Sequence, residues 1–138
     1  MIDVFLRGVL PQVWLSPNRG ERKEGRSAFA ISAAKSAMRG EVCLGLLADE
    51  SVRGLAEPIT PCHVILTLRW WKRASDGYYR PLDIGNAIYS LKAAIDGIVD
   101  AGVMVDDDYR HLALLSGSVE RCEREWDEGL RVQVLPIE

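Results

Sequence analysis

Cys62-His63-Val64-Ile65-Leu66-Thr67-Leu68-Arg69-Trp70 reads with a period of two. Val64, Leu66, Leu68 and Trp70 share one face, and His63, Thr67 and Arg69 share the other, the pattern of a β-strand covered on one side. A polar connection over residues 72–80 leads to Pro81, and beyond it the period changes. Ile84, Ala87, Ile88, Leu91, Ile95 and Ile98 then fall on one stripe of a helix that ends near Gly102. A half-covered strand followed by an amphipathic helix is a unit of an α/β layer pair.

The flanking sequence extends this unit in both directions. Ile2 to Val9 reads as a short strand ended by Pro11, and Leu15 to Arg26 reads as a polar loop with two glycines and a proline. Ser27 is a candidate N-cap for a helix in which Phe29, Ala33, Ala37 and Ala30, Ala34, Met38 step by four, with Gly40 and Gly45 weakening it. Gly54 to Pro61 is a second loop. Strands are expected around Leu112–Leu115 and from Leu130 through Val134, where Arg131 and Gln133 point away from the core. The order strand, helix, strand, helix, strand, strand predicts an α+β fold in one domain over residues 1–138, a small mixed sheet with helices on one face.

Composition is that of an ordinary globular chain: 48% hydrophobic, 27% charged, over 138 residues. No apolar run approaches the roughly 18 residues of a membrane span, and the start Met1-Ile2-Asp3-Val4-Phe5-Leu6-Arg7 lacks the features of a signal peptide. Cys43, Cys62 and Cys122 are odd in number and widely spaced, which fits reduced thiols in the cytoplasm better than a zinc site or a disulfide framework.

The net charge of −3 is unevenly spread. Residues 19–39 carry Arg19, Arg22, Lys23, Arg26, Lys35 and Arg39 against Glu21 and Glu24, a local +4. Lys72, Arg73 and Arg80, with Arg69, form a second basic group just before Asp83, and the tail from Glu120 is acidic. Such segregation suits a protein that grips a polyanion, although charge runs are also common on plain solvated surface.

Three adjacent acids, Asp106, Asp107 and Asp108, follow the second helix, and Asp83 stands where that helix begins. Carboxylates at both ends of a helix that carries Lys92 suggest a magnesium site handling phosphate, since magnesium takes oxygen ligands and lowers the pKa of its bound water. Each residue also has a plainer explanation. Asp83 fits an N-cap, Lys92 and Asp96 fit an i,i+4 surface ion pair, and the acid run fits a turn in which Asp bonds its own backbone. His63 and His111 read as structural.

The order of these residues resembles the RusA family of Holliday-junction resolvases. Lys92-Ala-Ala-Ile-Asp96, then Ala101-Gly102, then Asp106-Asp107 match the family pattern without a gap. Arg80-Pro-Leu-Asp83-Ile-Gly85-Asn86 looks like its Asp-x-Asp-Asn element, and Leu15-Ser-Pro-Asn18-Arg19 looks like its entry segment. The resemblance implies a dimeric, magnesium-dependent endonuclease, with manganese as a possible substitute, acting on four-way junctions or other branched DNA in a bacterial or phage-infected cell. It implies Asp83 and Asp107 as metal ligands, Asp106 as an auxiliary acid and Lys92 as the base beside phosphate or metal. Asn18, Arg19, Arg22, Lys23, Arg26, Lys72, Arg73, Arg80 and Asn86 are the corresponding DNA-binding candidates.

Two departures bear on activity. Gly85 stands where the family has its second aspartate, and Lys92 follows Asn86 by six residues rather than three. The alternative expectation is therefore a branched-DNA-binding protein with impaired catalysis. The nuclease expectation requires Asp83 and Asp107 to meet around one cation.

Overall fold

The computed structural model describes residues 1–11, 28–71 and 88–138. Four strands, β1 (Ile2–Arg7), β2 (Cys62–Trp70), β3 (Leu112–Arg121) and β4 (Gly129–Pro136), make one sheet in the order β1-β4-β2-β3. β4 lies antiparallel to β1 on one side, pairing Val132 with Val4, and antiparallel to β2 on the other, pairing Val132 with Leu66. β2 and β3 run parallel, so residues 71–111 are the crossover between them. The sheet is therefore mixed, and the fold is α+β.

Alternation decides which face of the sheet is covered. Ile2, Val4 and Leu6 of β1, Val64, Leu66, Leu68 and Trp70 of β2, and Leu130, Val132 and Val134 of β4 are all buried. They join buried residues of α1 (Ala28–Leu47) and α3 (Lys92–Asp100) in one hydrophobic cluster. Met38, Val42 and Leu46 come from α1, and Ala94, Ile95 and Ile98 from α3. The opposite face is polar and ion-paired: Arg131 grips Asp3 through two hydrogen bonds of 2.9 and 2.7 Å, and Arg69 reaches Glu120 at 3.0 Å. Arg69 also lies 5.3 Å above the Phe5 ring.

Several boundaries differ from the sequence expectation. α1 runs unbroken through Gly40 and Gly45, because its tertiary packing outweighs a propensity loss of about 1 kcal/mol per glycine. A short helix, α2 (Glu50–Arg53), precedes the second loop, its Asp49 side chain accepting the Ser51 backbone N–H at 2.9 Å. β3 continues to Arg121, six residues past its expected end, through the weakly apolar Ser116-Gly117-Ser118. Its ladder with β2 shifts register between Cys62 and His63, placing Leu115, Gly117 and Val119 beside Val64, Leu66 and Leu68.

The second helix is interrupted within its described part. Residues 88–90 are helical, then Leu91, at φ −94° and ψ 6°, separates them from α3. Leu91 N–H donates to Ile88 O at 3.0 Å and Ala94 N–H to Leu91 O at 2.9 Å, tight three-residue steps rather than α-helical ones. The expected start of the helix at Asp83 lies outside the described residues.

Candidate functional site

The acid run owes its position to the way α3 stops. Gly102 takes φ +77°, Val103 N–H bonds Ile98 O at 3.3 Å, and Gly102 N–H bonds Val99 O at 2.9 Å. These are the paired bonds of a Schellman ending, and its usual apolar clasp is present in the fully buried Ile98 and Val103. Met104 is buried as well, so the chain is pinned to the core just past the helix. From that anchor it returns along α3 and delivers Asp107 to Lys92, the helix's first residue.

Lys92 Nζ donates to Asp107 Oδ2 at 2.6 Å and to Asp96 Oδ1 at 3.0 Å. Asp96 is one turn further along α3, so two carboxylates converge on one ammonium. The Lys92 hydrogen bond holds the Asp107 carboxyl below its usual pKa, partial burial opposes this, and the lysine's charge adds to the lowering. For Lys92, partial burial favours loss of the proton, but hydrogen bonds to Asp107 and Asp96 outweigh it and the pKa rises. Lys92 is therefore a fixed cation at neutral pH, not a free base.

The three adjacent acids diverge instead of sharing one partner. Asp106 Oδ1 accepts the Asp107 backbone N–H at 2.8 Å, the local bond of an Asp-rich turn. Asp108 accepts from the Arg110 backbone and guanidinium, each at 2.9 Å, and shares a 2.9 Å hydrogen bond with His111 Nδ1. The Arg110 contact lowers its pKa to about 2, despite some opposing desolvation. Repulsion within the run is relieved by the protein's own cations. His63 shares a 2.7 Å hydrogen bond with Ser116 on the polar sheet face, in keeping with a structural role.

Of the residues expected at the site, the fold brings Lys92 and Asp107 into contact and keeps Asp106 adjacent. Asp83, Gly85 and Asn86 lie outside the described residues, as do Asn18, Arg19, Arg22, Lys23, Arg26, Lys72, Arg73 and Arg80. The decisive proximity of Asp83 to Asp107 lies there too. Asp96 joins the cluster although it was not singled out as a site residue; its i,i+4 spacing from Lys92 was the available signal. Among the described residues, no group of three or more His, Cys, Asp or Glu side chains is arranged to hold a metal ion. Asp107 and Asp96 alone fall short of such a group.

No protein-family model matches the chain, and a comparison with curated proteins gives no match. Among the described residues no helix is long and apolar enough to cross a membrane.

Proposed function

We propose that this chain is a magnesium-dependent endonuclease that cuts branched DNA, a Holliday-junction resolvase of the RusA type. One observation carries the proposal: Lys92 and Asp107, fifteen residues apart in the pattern that resembles that family, meet at 2.6 Å with Asp96 beside them. Asp83 and Asp107 hold the ion in this scheme, with Asp106 as an auxiliary acid. Magnesium, with manganese as a substitute, would supply a bound water acidic enough to lose its proton and become the nucleophile toward a phosphodiester. Lys92 stays protonated and presents its charge to the scissile phosphate, a role for a point charge rather than a bidentate fork. The basic residues between 18 and 26 and between 72 and 86 bind the DNA backbone, and a homodimer supplies two sites for paired incisions.

The test is a synthetic four-way junction incubated with the chain, with and without magnesium. Asp83→Asn and Asp107→Asn abolish cutting while junction binding survives; cutting by both variants at the parent's rate refutes the assignment.

A second reading is supported by the same geometry. Lys92 already satisfies both Asp107 and Asp96, and Gly85 has no carboxylate to offer. A protein that binds branched DNA without cutting it fits these facts. A junction that is bound but uncut in magnesium or manganese, with cutting gained by Gly85→Asp, favours this second reading over the first.

A further inference from the structure

A groove of about 280 Å³ runs between α1 and the helical segment that carries Lys92. Lys35, Ser36 and Arg39 line it from α1, and Ser90, Lys92 and Asp96 face them from the other wall. We propose that this groove is a phosphodiester-backbone site that holds one nucleic-acid strand as it leaves Lys92. The identity of the strand as DNA rests on the function proposed above, whereas the groove's affinity for a polyphosphate chain does not.

Spare donors are the first argument. The lining carries Lys35, Arg39 and Lys92 beside one carboxylate, Asp96, and Lys92 pairs with Asp96 at 3.0 Å and with Asp107 at 2.6 Å. Arg39 is held in place by Asp100, through Nε at 2.5 Å and Nη2 at 2.8 Å. A guanidinium has five N–H donors in a fixed plane, so this pair orients Arg39 without exhausting it. Lys92 likewise has three donors, of which Asp96 and Asp107 take two.

Spacing is the second argument. Lys35 and Arg39 are four residues apart on α1, and Ser32 and Ser36 repeat the same step on the same lining. Donors therefore recur about once per helical turn, roughly 6 Å apart along α1. A row of donors suits successive phosphates better than a single compact anion. Tyr89, 43% exposed on the same lining, adds an aromatic face on which a base or sugar can rest. Lys35 and Arg39 also end the basic stretch of residues 19–39, so the groove continues a positive segment of sequence.

The experiment uses the full chain in two arms. In the first, binding of a labelled four-way junction is measured in EDTA across a salt series for the parent, Lys35→Gln, Arg39→Gln and a distant control, Arg53→Gln. Each groove variant reduces the slope of log affinity against log salt by about one, and the control leaves it unchanged. In the second arm, amide signals of the unaltered protein are followed while inorganic phosphate or a thymidine tetranucleotide is added. The tetranucleotide shifts Ser36, Arg39 and Tyr89 at lower concentration than phosphate does.

A junction that binds with unchanged slopes in both groove variants overturns the groove and leaves the nuclease proposal standing. A junction that does not bind, with tetranucleotide shifts still centred on the groove, overturns the nuclease proposal and leaves the groove standing. Equal response to phosphate and tetranucleotide, or no shift at the groove, overturns the backbone site even where a variant fails to fold.

Discussion

Lys92 and Asp107 each alter the other's proton affinity, and the consequence is measurable at a single carboxyl. An Asp whose folded pKa lies below its unfolded value stabilises the fold above the unfolded pKa, near 3.9, and loses that contribution as pH falls through the lower, folded value. Carboxyl NMR titration of Asp107 is expected to give a midpoint below the ordinary value. Lys92→Met moves it up, because the hydrogen bond and charge of Lys92 that lower it are gone. The pair is half-open to water, with side-chain exposures of 57% and 34%, so its worth is only a few tenths of a kcal/mol near neutral pH. Urea unfolding of parent and Lys92→Met should differ by that little at pH 7 and converge below the parent's Asp107 midpoint. A shift of several kcal/mol would mean that Lys92 supports the fold and not mainly the site.

The helices meet at a contact that side-chain size controls. A Cβ added at Gly97 of α3 would stand 2.7 Å from the Arg39 backbone oxygen and 2.9 Å from Val42 Cβ on α1. Backbone cannot give way as a flexible side chain does, so α3 must move and carry Lys92 with it. Gly97→Ala is expected to lose about 1–3 kcal/mol through overpacking, against roughly 1 kcal/mol gained in helix propensity. The net is a lower urea midpoint at unchanged m-value, with the Asp107 midpoint moving toward normal if the Lys92 contact loosens. Gly40, mid-helix on α1, is the counter-case, since a Cβ there meets nothing within 4 Å. Gly40→Ala should raise stability by about 0.5–1 kcal/mol. Helix propensity penalises both glycines alike, and only the packing separates the one that should go from the one that must stay.

For the molecule as a whole, the strands and both long helices share one apolar cluster, and β4 lies between β1 and β2. Leu68, fully buried on β2 and paired with Leu130 of β4, sits within that cluster. Leu68→Ala is expected to cost about 2–5 kcal/mol. Shared packing predicts a single loss of structure: backbone circular dichroism and tryptophan fluorescence should agree on one midpoint in the parent and on one lower midpoint in the variant. Two separated midpoints would divide the described core into independent parts.

The sequence by itself determined the alternation of β2, the apolar stripe of α3 and the outward Arg131 and Gln133 of β4, because periodicity of burial is a local property of each segment. It also determined the Ala101-Gly102 stop, since a left-handed helix ending favours glycine wherever it occurs. Tertiary structure alone decided that β4 enters between β1 and β2, that α3 begins after a break at Leu91, and that β3 runs on to Arg121. It alone drew Lys92 and Asp107 together across fifteen residues and gave Asp108 instead to Arg110 and His111. Those outcomes depend on which surfaces meet after the chain has turned back on itself, and no local pattern of residues encodes that meeting.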